Sequence, residues 1–339
     1  MSSLRPGSRN SLADIAGLTV GNAHDAVLKS GVTAIICDKP ATAAVHVMGG
    51  APGTRETDLL APENTVSQVD AVVLSGGSAF GLDAASGVQA WLREQGRGFS
   101  VGGQLVPIVP GAILFDLING GDKNWGRFPP YRDMGYEAAS KASIDFITGT
   151  SGAGYGATVA GLKGGLGTAS TVHSDGITMA ALVAVNAVGS PVMGDTGHFW
   201  AAPFEIDGEF GGLGLPAEVP GNTAEVRLKY RDMDGSRANT TIAVIATDAT
   251  LDKAAAKRLA ICAHDGFARA LWPVHTPHDG DLVFALATGD REPPAQANDF
   301  IELCAIASST MSRAIARAVY SATPEEGDLF PTWQTRFGG

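Results

Sequence analysis

Apolar residues along this chain follow two rhythms. Short β-branched runs set between glycine-rich turns fill the first half; residues 31–37, 42–48 and 69–74 predict strands. Ala85, Val88 and Trp91 at three-residue spacing predict a helix over 82–94, closed by Gly96 and Gly98. The proline-punctuated run 107–117 reads as a strand and residues 136–146 as a helix. A long apolar strand is predicted over 178–189, with further strands from Thr240 to Thr247 and over 282–288. Helices are expected over 251–271 and 299–322. Between 191 and 227 glycine and proline abound without a sustained period, which reads as a mobile surface excursion. Strands and helices in this order define an α/β chain.

Composition narrows the picture. A chain of 339 residues that is 45% hydrophobic can bury one large layered domain or two smaller ones. A formal net charge of −11 argues against nucleic acid as a partner, since that footprint is basic. No apolar run approaches the ~18 residues of a membrane span, and the first residues lack an apolar signal region. A soluble, cytoplasmic protein is expected. Cys37, Cys262 and Cys304 sit in apolar surroundings without paired spacing, as buried thiols of a reducing compartment do.

The candidate chemistry centres on Asn239-Thr240-Thr241, where a polar, glycine-containing loop meets a buried strand. A hydroxyl placed there suggests self-cleavage: Thr240 attacks the carbonyl of Asn239, an ester forms, and water frees a new amino terminus. The freed α-amine has an ordinary pKa of roughly 7.7–8.0. It can serve as base for its own hydroxyl. The bland alternative is a turn entering a strand, because Asn and Thr are common there. Asp279 and Asp281 stand two apart at the mouth of the next strand, so both carboxylates face one way. Such a pair can orient an ammonium, while mutual repulsion raises at least one of the two pKa values. Two turn aspartates in solvent would show the same spacing.

Three other constellations point less far. Gly152-Ala153-Gly154-Tyr155-Gly156-Ala157 fits the dinucleotide fingerprint, but it should then follow a strand and open a helix, and the segment before it reads as helical. Gly76-Gly77-Ser78-Ala79-Phe80 resembles a nucleophile elbow with Phe80 in the place of the second glycine; close packing of helix on strand explains these glycines better. His275, His278, Asp279 and Asp281 could ligate a metal, yet no second His/Cys set stands at ligand spacing. No metal and no cofactor are expected.

Taken together, these segments resemble the self-cleaving L-aminopeptidase/D-esterase (DmpA-type) peptidases, a family that includes β-aminopeptidases and 6-aminohexanoate-oligomer hydrolases. The resemblance runs from about Leu12 to Ala322 and rests on ordered motifs: residues 75–82, 107–110 with 115–117, Gly152-Ala153-Gly154, Asn239-Thr240-Thr241-Ile242, and 275–285. It implies a four-layer α/β/β/α sandwich and one catalytic domain cut into residues 1–239 and 240–339, assembled further into a homo-oligomer, a tetramer by analogy. It implies that Thr240 is the nucleophile and Asn239 the last residue of the larger fragment. Asn186 matches the oxyanion donor, Lys163 a lysine near the nucleophile, and Asp279 with Asp281 the paired carboxylates of the nylon-oligomer branch. Because the β-aminopeptidases use Ser, the chain leans toward the Thr branch. Phe115 departs from the pattern, standing where that branch carries a Tyr in the substrate pocket. Small amides or peptides with a free amine are the implied substrates, with endo-cleavage of 6-aminohexanoate oligomers or a non-enzymatic binding role as alternatives. The Asn186 amide ends an apolar strand, and a partner arriving with substrate is expected to satisfy it.

Overall fold

The computed structural model describes residues 4–231 and 239–338. Its strands are β1 (Leu18–Asp25), β2 (Ser30–Val47), β3 (Thr54–Arg55), β4 (Gln68–Ser75), β5 (Phe99–Val101), β6 (Gln104–Val106), β7 (Gly111–Ile113), β8 (Thr158–Val159), β9 (Leu162–Lys163), β10 (Gly165–Val172), β11 (Thr178–Asn186), β12 (Thr240–Ala249) and β13 (Leu282–Arg291). The helices are α1 (Ala84–Glu94), α2 (Tyr131–Ser140), α3 (Lys253–Ala268), α4 (Ala297–Tyr320) and α5 (Trp333–Phe337).

Alternation along buried strands builds the layers. Ile35, Val72, Leu182, Val244 and Phe284 point into one core that lies between sheet layers. Their neighbours Ile36 and Val73 point the other way, onto α1 and α2 through Val88, Leu92 and Ala138. Val183, Ile245 and Val283 point onto α3 and α4 through Leu259, Phe267, Met311 and Ile315. A strand buried on both faces needs an apolar residue at every position, and β11 and β12 have no exposed residue. Three cores separate four layers, so the expected α/β/β/α sandwich is what the chain forms.

The two sheet layers are one hydrogen-bonded sheet folded over, in the order β10-β11-β12-β13-β2-β4-β7-β3 with β1 on β2. Strand β2 makes the fold. Its first part pairs with β1, its last part with β13, and its register against β4 shifts between Ile36 and Ala41. The two strands expected over 31–37 and 42–48 are therefore one strand bent in the middle.

Other expectations change too. Strand 107–117 shrinks to β7, because Pro107 and Pro110 cannot donate to a ladder. The helix expected over 136–146 is α2, which starts directly after Pro130 and ends at Ser140. Gly135 lies inside it rather than ahead of it: a Cβ there would stand 2.1 Å from the Ala84 carbonyl oxygen, and one at Gly87 1.9 Å from that of Arg132. These two glycines let α1 and α2 cross at backbone contact. Residues 191–227 are not a loose excursion. Phe199 stacks on Trp333 with centroids 5.7 Å apart, and Glu209, its side chain 8% exposed, pairs with Arg313 and Arg317 of α4. Of the three thiols, Cys37 is buried while Cys262 and Cys304 are only partly so. Among the described residues no helix is long and apolar enough to cross a membrane.

Candidate active site

Strand β12 runs antiparallel to β11 and parallel to β13, and its first residue opens the site. Thr240 is paired directly with Asn186, the last residue of β11, so the two side chains share one face of the sheet. Asn239 bridges to Asp279 just ahead of β13. Sheet register thus gathers residues far apart in the chain: Asn186, Asn239, Thr240, Asp279 and Asp281.

The Thr240 hydroxyl donates a short hydrogen bond to the carbonyl oxygen of Asn239, its own preceding peptide. The Gly280 N–H donates to that same oxygen at 3.1 Å. Glycine is required at 280, since a Cβ would stand 2.7 Å from both Thr240 Oγ1 and the Ala51 carbonyl oxygen. The Asn239–Thr240 bond lies buried, with its carbonyl polarised and a hydroxyl set against it.

The two carboxylates differ. Asp281 is fully engaged: Oδ1 accepts from the Thr241 N–H at 2.7 Å, and Oδ2 from His275 Nδ1 at 2.9 Å and the His275 N–H at 3.2 Å. His275 is turned to reach it by a left-handed φ of 56°. Asp279 uses only Oδ2, which accepts from the N–H and hydroxyl of Thr276 at 2.8 and 2.6 Å. Among the described residues its Oδ1 has no hydrogen bond of ordinary geometry, while the Val188 backbone N–H also favours the ionised carboxylate. Burial first, and then repulsion by Asp281, pushes the Asp279 carboxyl up to about 6. The Asn239 side-chain amide, Thr241 Oγ1, His275 Nε2 and Asp279 Oδ1 are all buried without hydrogen-bond partners among the described residues, so unmet polar groups gather near one peptide bond.

The Asn186 amide is not left waiting for a partner, contrary to the expectation from sequence. Its Nδ2 donates to the Phe115 carbonyl oxygen at 2.8 Å; its Oδ1 accepts from the Thr158 N–H and from Lys229 Nζ, both at 3.0 Å. Of these partners sequence singled out only Phe115; Thr158 and Lys229 stand in segments with no periodic signal. Phe115 meets the site through its backbone carbonyl. Next to it, Asp116 is fully buried, accepting from Ser30 Oγ at 2.6 Å and the Gly77 N–H at 2.7 Å, and burial raises its pKa. Gly76 packs against this carboxylate and Gly77, whose N–H donates to it, against the Tyr131 ring, in keeping with packing rather than an elbow. Those at 152 and 154 lie against Asn22, Thr33 and Leu166, and only a three-residue 3-10 turn, Gly152–Gly154, forms there.

Lys163 lies elsewhere in the hydrogen-bond network. Its ammonium donates to Asp328 Oδ2 at 2.6 Å, while Lys29 donates to Oδ1 of the same carboxylate at 2.8 Å. Among the described residues no hydrogen bond links Lys163 to Thr240, Asn186, Asp279 or Asp281. Its side chain shares a small cleft with Tyr155, Thr158 and Phe330. Lys229, by contrast, reaches the site and was not foreseen. Flanked by Arg227 and Arg231, it reads in sequence as part of a solvated charge run. His278 is exposed on the turn.

The chain thus sets a hydroxyl residue at the head of a central strand in an α/β/β/α sandwich. Residues 10–329 match peptidase family S58, and the chain belongs to that family. It is a hydrolase of peptide or linear amide bonds. The chain is 43% identical to an uncharacterized aminopeptidase of Mycobacterium tuberculosis, an alignment covering 97% of this chain and 98% of the relative. It is 25% identical to a 6-aminohexanoate-oligomer endohydrolase of Kocuria sp., over 83% of this chain and 76% of the other. The fold is shared with the L-aminopeptidase D-Ala-esterase/amidase of Ochrobactrum anthropi at a TM-score of 0.73 and 21% identity, covering 96% of this chain and 91% of that one. It is shared also with a Burkholderia sp. β-aminopeptidase at 0.71 and 20% identity, covering 99% and 94%.

Proposed function

We propose that the chain is an aminopeptidase activated by self-cleavage between Asn239 and Thr240, with Thr240 as its N-terminal nucleophile. The observation that carries this reading is the Thr240 hydroxyl resting on the Asn239 carbonyl, with the Gly280 N–H on the same oxygen. In maturation, Thr240 Oγ bonds to the Asn239 carbonyl carbon and the C–N bond breaks. The nitrogen leaves as the free α-amine and an ester remains. Water then cleaves the ester, leaving residues 1–239 and 240–339.

In turnover the α-amine takes the proton from Oγ as the hydroxyl attacks the substrate carbonyl. The tetrahedral oxyanion is held by N–H donors, the second hydrogen of Asn186 Nδ2 among them, and collapses to an acyl-enzyme that water hydrolyses. The Thr240 ammonium needs an acceptor when protonated. Asp281 is already spent on His275 and Thr241, so the open Oδ1 of Asp279 fits that task. Peptides and small linear amides with a free amine are the substrates this reading favours. A narrower second reading, endo-cleavage of 6-aminohexanoate oligomers, draws on the Kocuria sp. relative and on the Asp279/Asp281 pair. The reading also includes association of the cut protomers into a homo-oligomer in the cytoplasm.

Intact mass spectrometry tests the maturation step. The wild-type chain is expected as two fragments divided at Asn239–Thr240, and Thr240→Ala as the full-length chain alone. Cleavage of the alanine variant at that same bond would exclude the hydroxyl as attacking group. A panel of amino-acid p-nitroanilides, β-alanyl dipeptides and 6-aminohexanoate oligomers then separates the two substrate readings.

A further inference from the structure

Lys229 stands on a single turn, Lys229–Arg231, yet its side chain runs inward and the residue is only 4% exposed. Its N–H is fixed to the Val188 carbonyl oxygen at 2.8 Å. Its ammonium donates to three oxygens: Thr158 O at 3.0 Å, Asn186 O at 3.2 Å and Asn186 Oδ1 at 3.0 Å. An ammonium has three protons, so this one is saturated. Among the described residues no carboxylate pairs with it directly; Asp279 and Asp116 attract it from further off. Burial lowers its pKa to about 7, so the charge is held at a cost.

We infer that Lys229 is a positioning residue that fixes the Asn186 amide for its task at Thr240. A primary amide can sit in either of two flips, and only the partners decide between them. Here Oδ1 faces two donors, the Lys229 ammonium and the Thr158 N–H. The reverse flip would set an NH2 group against both of them. Nδ2 is therefore held toward Phe115 O, on the sheet face that Asn186 shares with Thr240. Phe115 takes one amide hydrogen, and the other remains for an oxyanion. Lys229 touches no reacting atom; it acts through Asn186. The inference rests on the reading of Asn186 as an oxyanion donor.

A double-mutant cycle on the full chain tests it, with Lys229→Met, Asn186→Ala and the pair. The fraction cut is scored first by intact mass, and kcat and KM are then measured on an amino-acid p-nitroanilide. Lys229→Met should lower kcat on the order of a hundredfold, the cost of a misplacement of about 1 Å at a reacting centre, and leave KM nearly unchanged. The double variant should be no slower than Asn186→Ala alone, because residues acting through one group do not add. Should Lys229→Met prove insoluble, Lys229→Gln enters the same cycle; its amide still donates to Oδ1, and a partial recovery of kcat is expected. Fully additive losses, or wild-type kcat in the lysine variant, would overturn the positioning role while leaving the Asn186 reading intact. Full turnover in Asn186→Ala would overturn both.

Discussion

Asn186 and Asp279 illustrate how differently two buried polar groups can be placed. Asn186 is tied on both ends of its amide, so its geometry exists before any substrate arrives. Preorganised donors of this kind carry much of the barrier lowering in acyl transfer. Asn186→Ala is expected to fold and to lose roughly a hundred- to a thousandfold in kcat, with a smaller change in KM. Wild-type steady-state rates would return the residue to a purely structural role. Asp279 instead keeps one oxygen unmet, and its raised pKa means the folded chain binds that proton more tightly than the unfolded one. Ionising it costs nothing below the ordinary carboxylate range. The cost grows as pH rises through 6 and is complete above it. In the uncut Thr240→Ala background, Asp279→Asn should therefore gain stability relative to its parent on going from about pH 4 to about pH 8. Parallel melting temperatures across that range would show that the carboxyl is not perturbed. On the proposed reading the Thr240 α-amine must be unprotonated to take the hydroxyl proton, so the acid limb of turnover is expected to follow that amine.

Elements, more than single residues, decide where sequence is informative. The strands β11, β12 and β13 and the helices α3 and α4 were legible because each keeps its period over many residues. Thr240 was legible because a polar sequence run, whose residues 232–238 lie outside the described residues, stops abruptly at an apolar one. Strands β1 and β10 were missed. β1 ends in polar residues, and β10 carries Gly165 and Gly167, which read as turn but allow close approach to Ala318 and Ala314 of α4. Lys229 was invisible because nothing in Arg227-Leu228-Lys229-Tyr230-Arg231 marks one cation as inward; only the three carbonyl-type oxygens around it do. The displaced start of α2 has the same origin, since its glycine serves a neighbour and not its own helix. That yields a test with an inverted sign. Alanine for glycine within a helix ordinarily stabilises by about 1 kcal/mol. At Gly135 the new Cβ meets the Ala84 carbonyl, so Gly135→Ala should instead destabilise by about 1–3 kcal/mol, as overpacking does. A rise in the denaturation midpoint would mean that α1 and α2 separate freely.

The chain's assembly explains why one cut need not undo it. Residues 240–339 contribute β12 and β13, which lie side by side in the middle of the sheet. β11 flanks them on one side and β2 on the other, both from residues 1–239. Helix α4 covers that half of the sheet, and two polar ties reinforce it: Arg313 with Glu209, and Asp328 with Lys29 and Lys163. Breaking one backbone bond at Asn239–Thr240 leaves every one of these contacts in place. The fragments of the wild-type chain are accordingly expected to co-elute under native conditions and to part only in denaturant. The tie at Glu209 allows a quantitative check, because Arg313 is 1% exposed and depends on it. Replacing one partner of a buried pair strands the other charge, at a typical cost of about 3–5 kcal/mol. Glu209→Gln should lower the unfolding free energy on that scale, read as a lower denaturation midpoint, while the chain is still cut, since among the described residues no hydrogen bond or ion pair links Glu209 to Asn239 or Thr240. A midpoint unchanged from wild type would mean that residues 191–227 are not held by α4. Loss of cleavage at an unchanged midpoint would instead tie Glu209 to the chemistry.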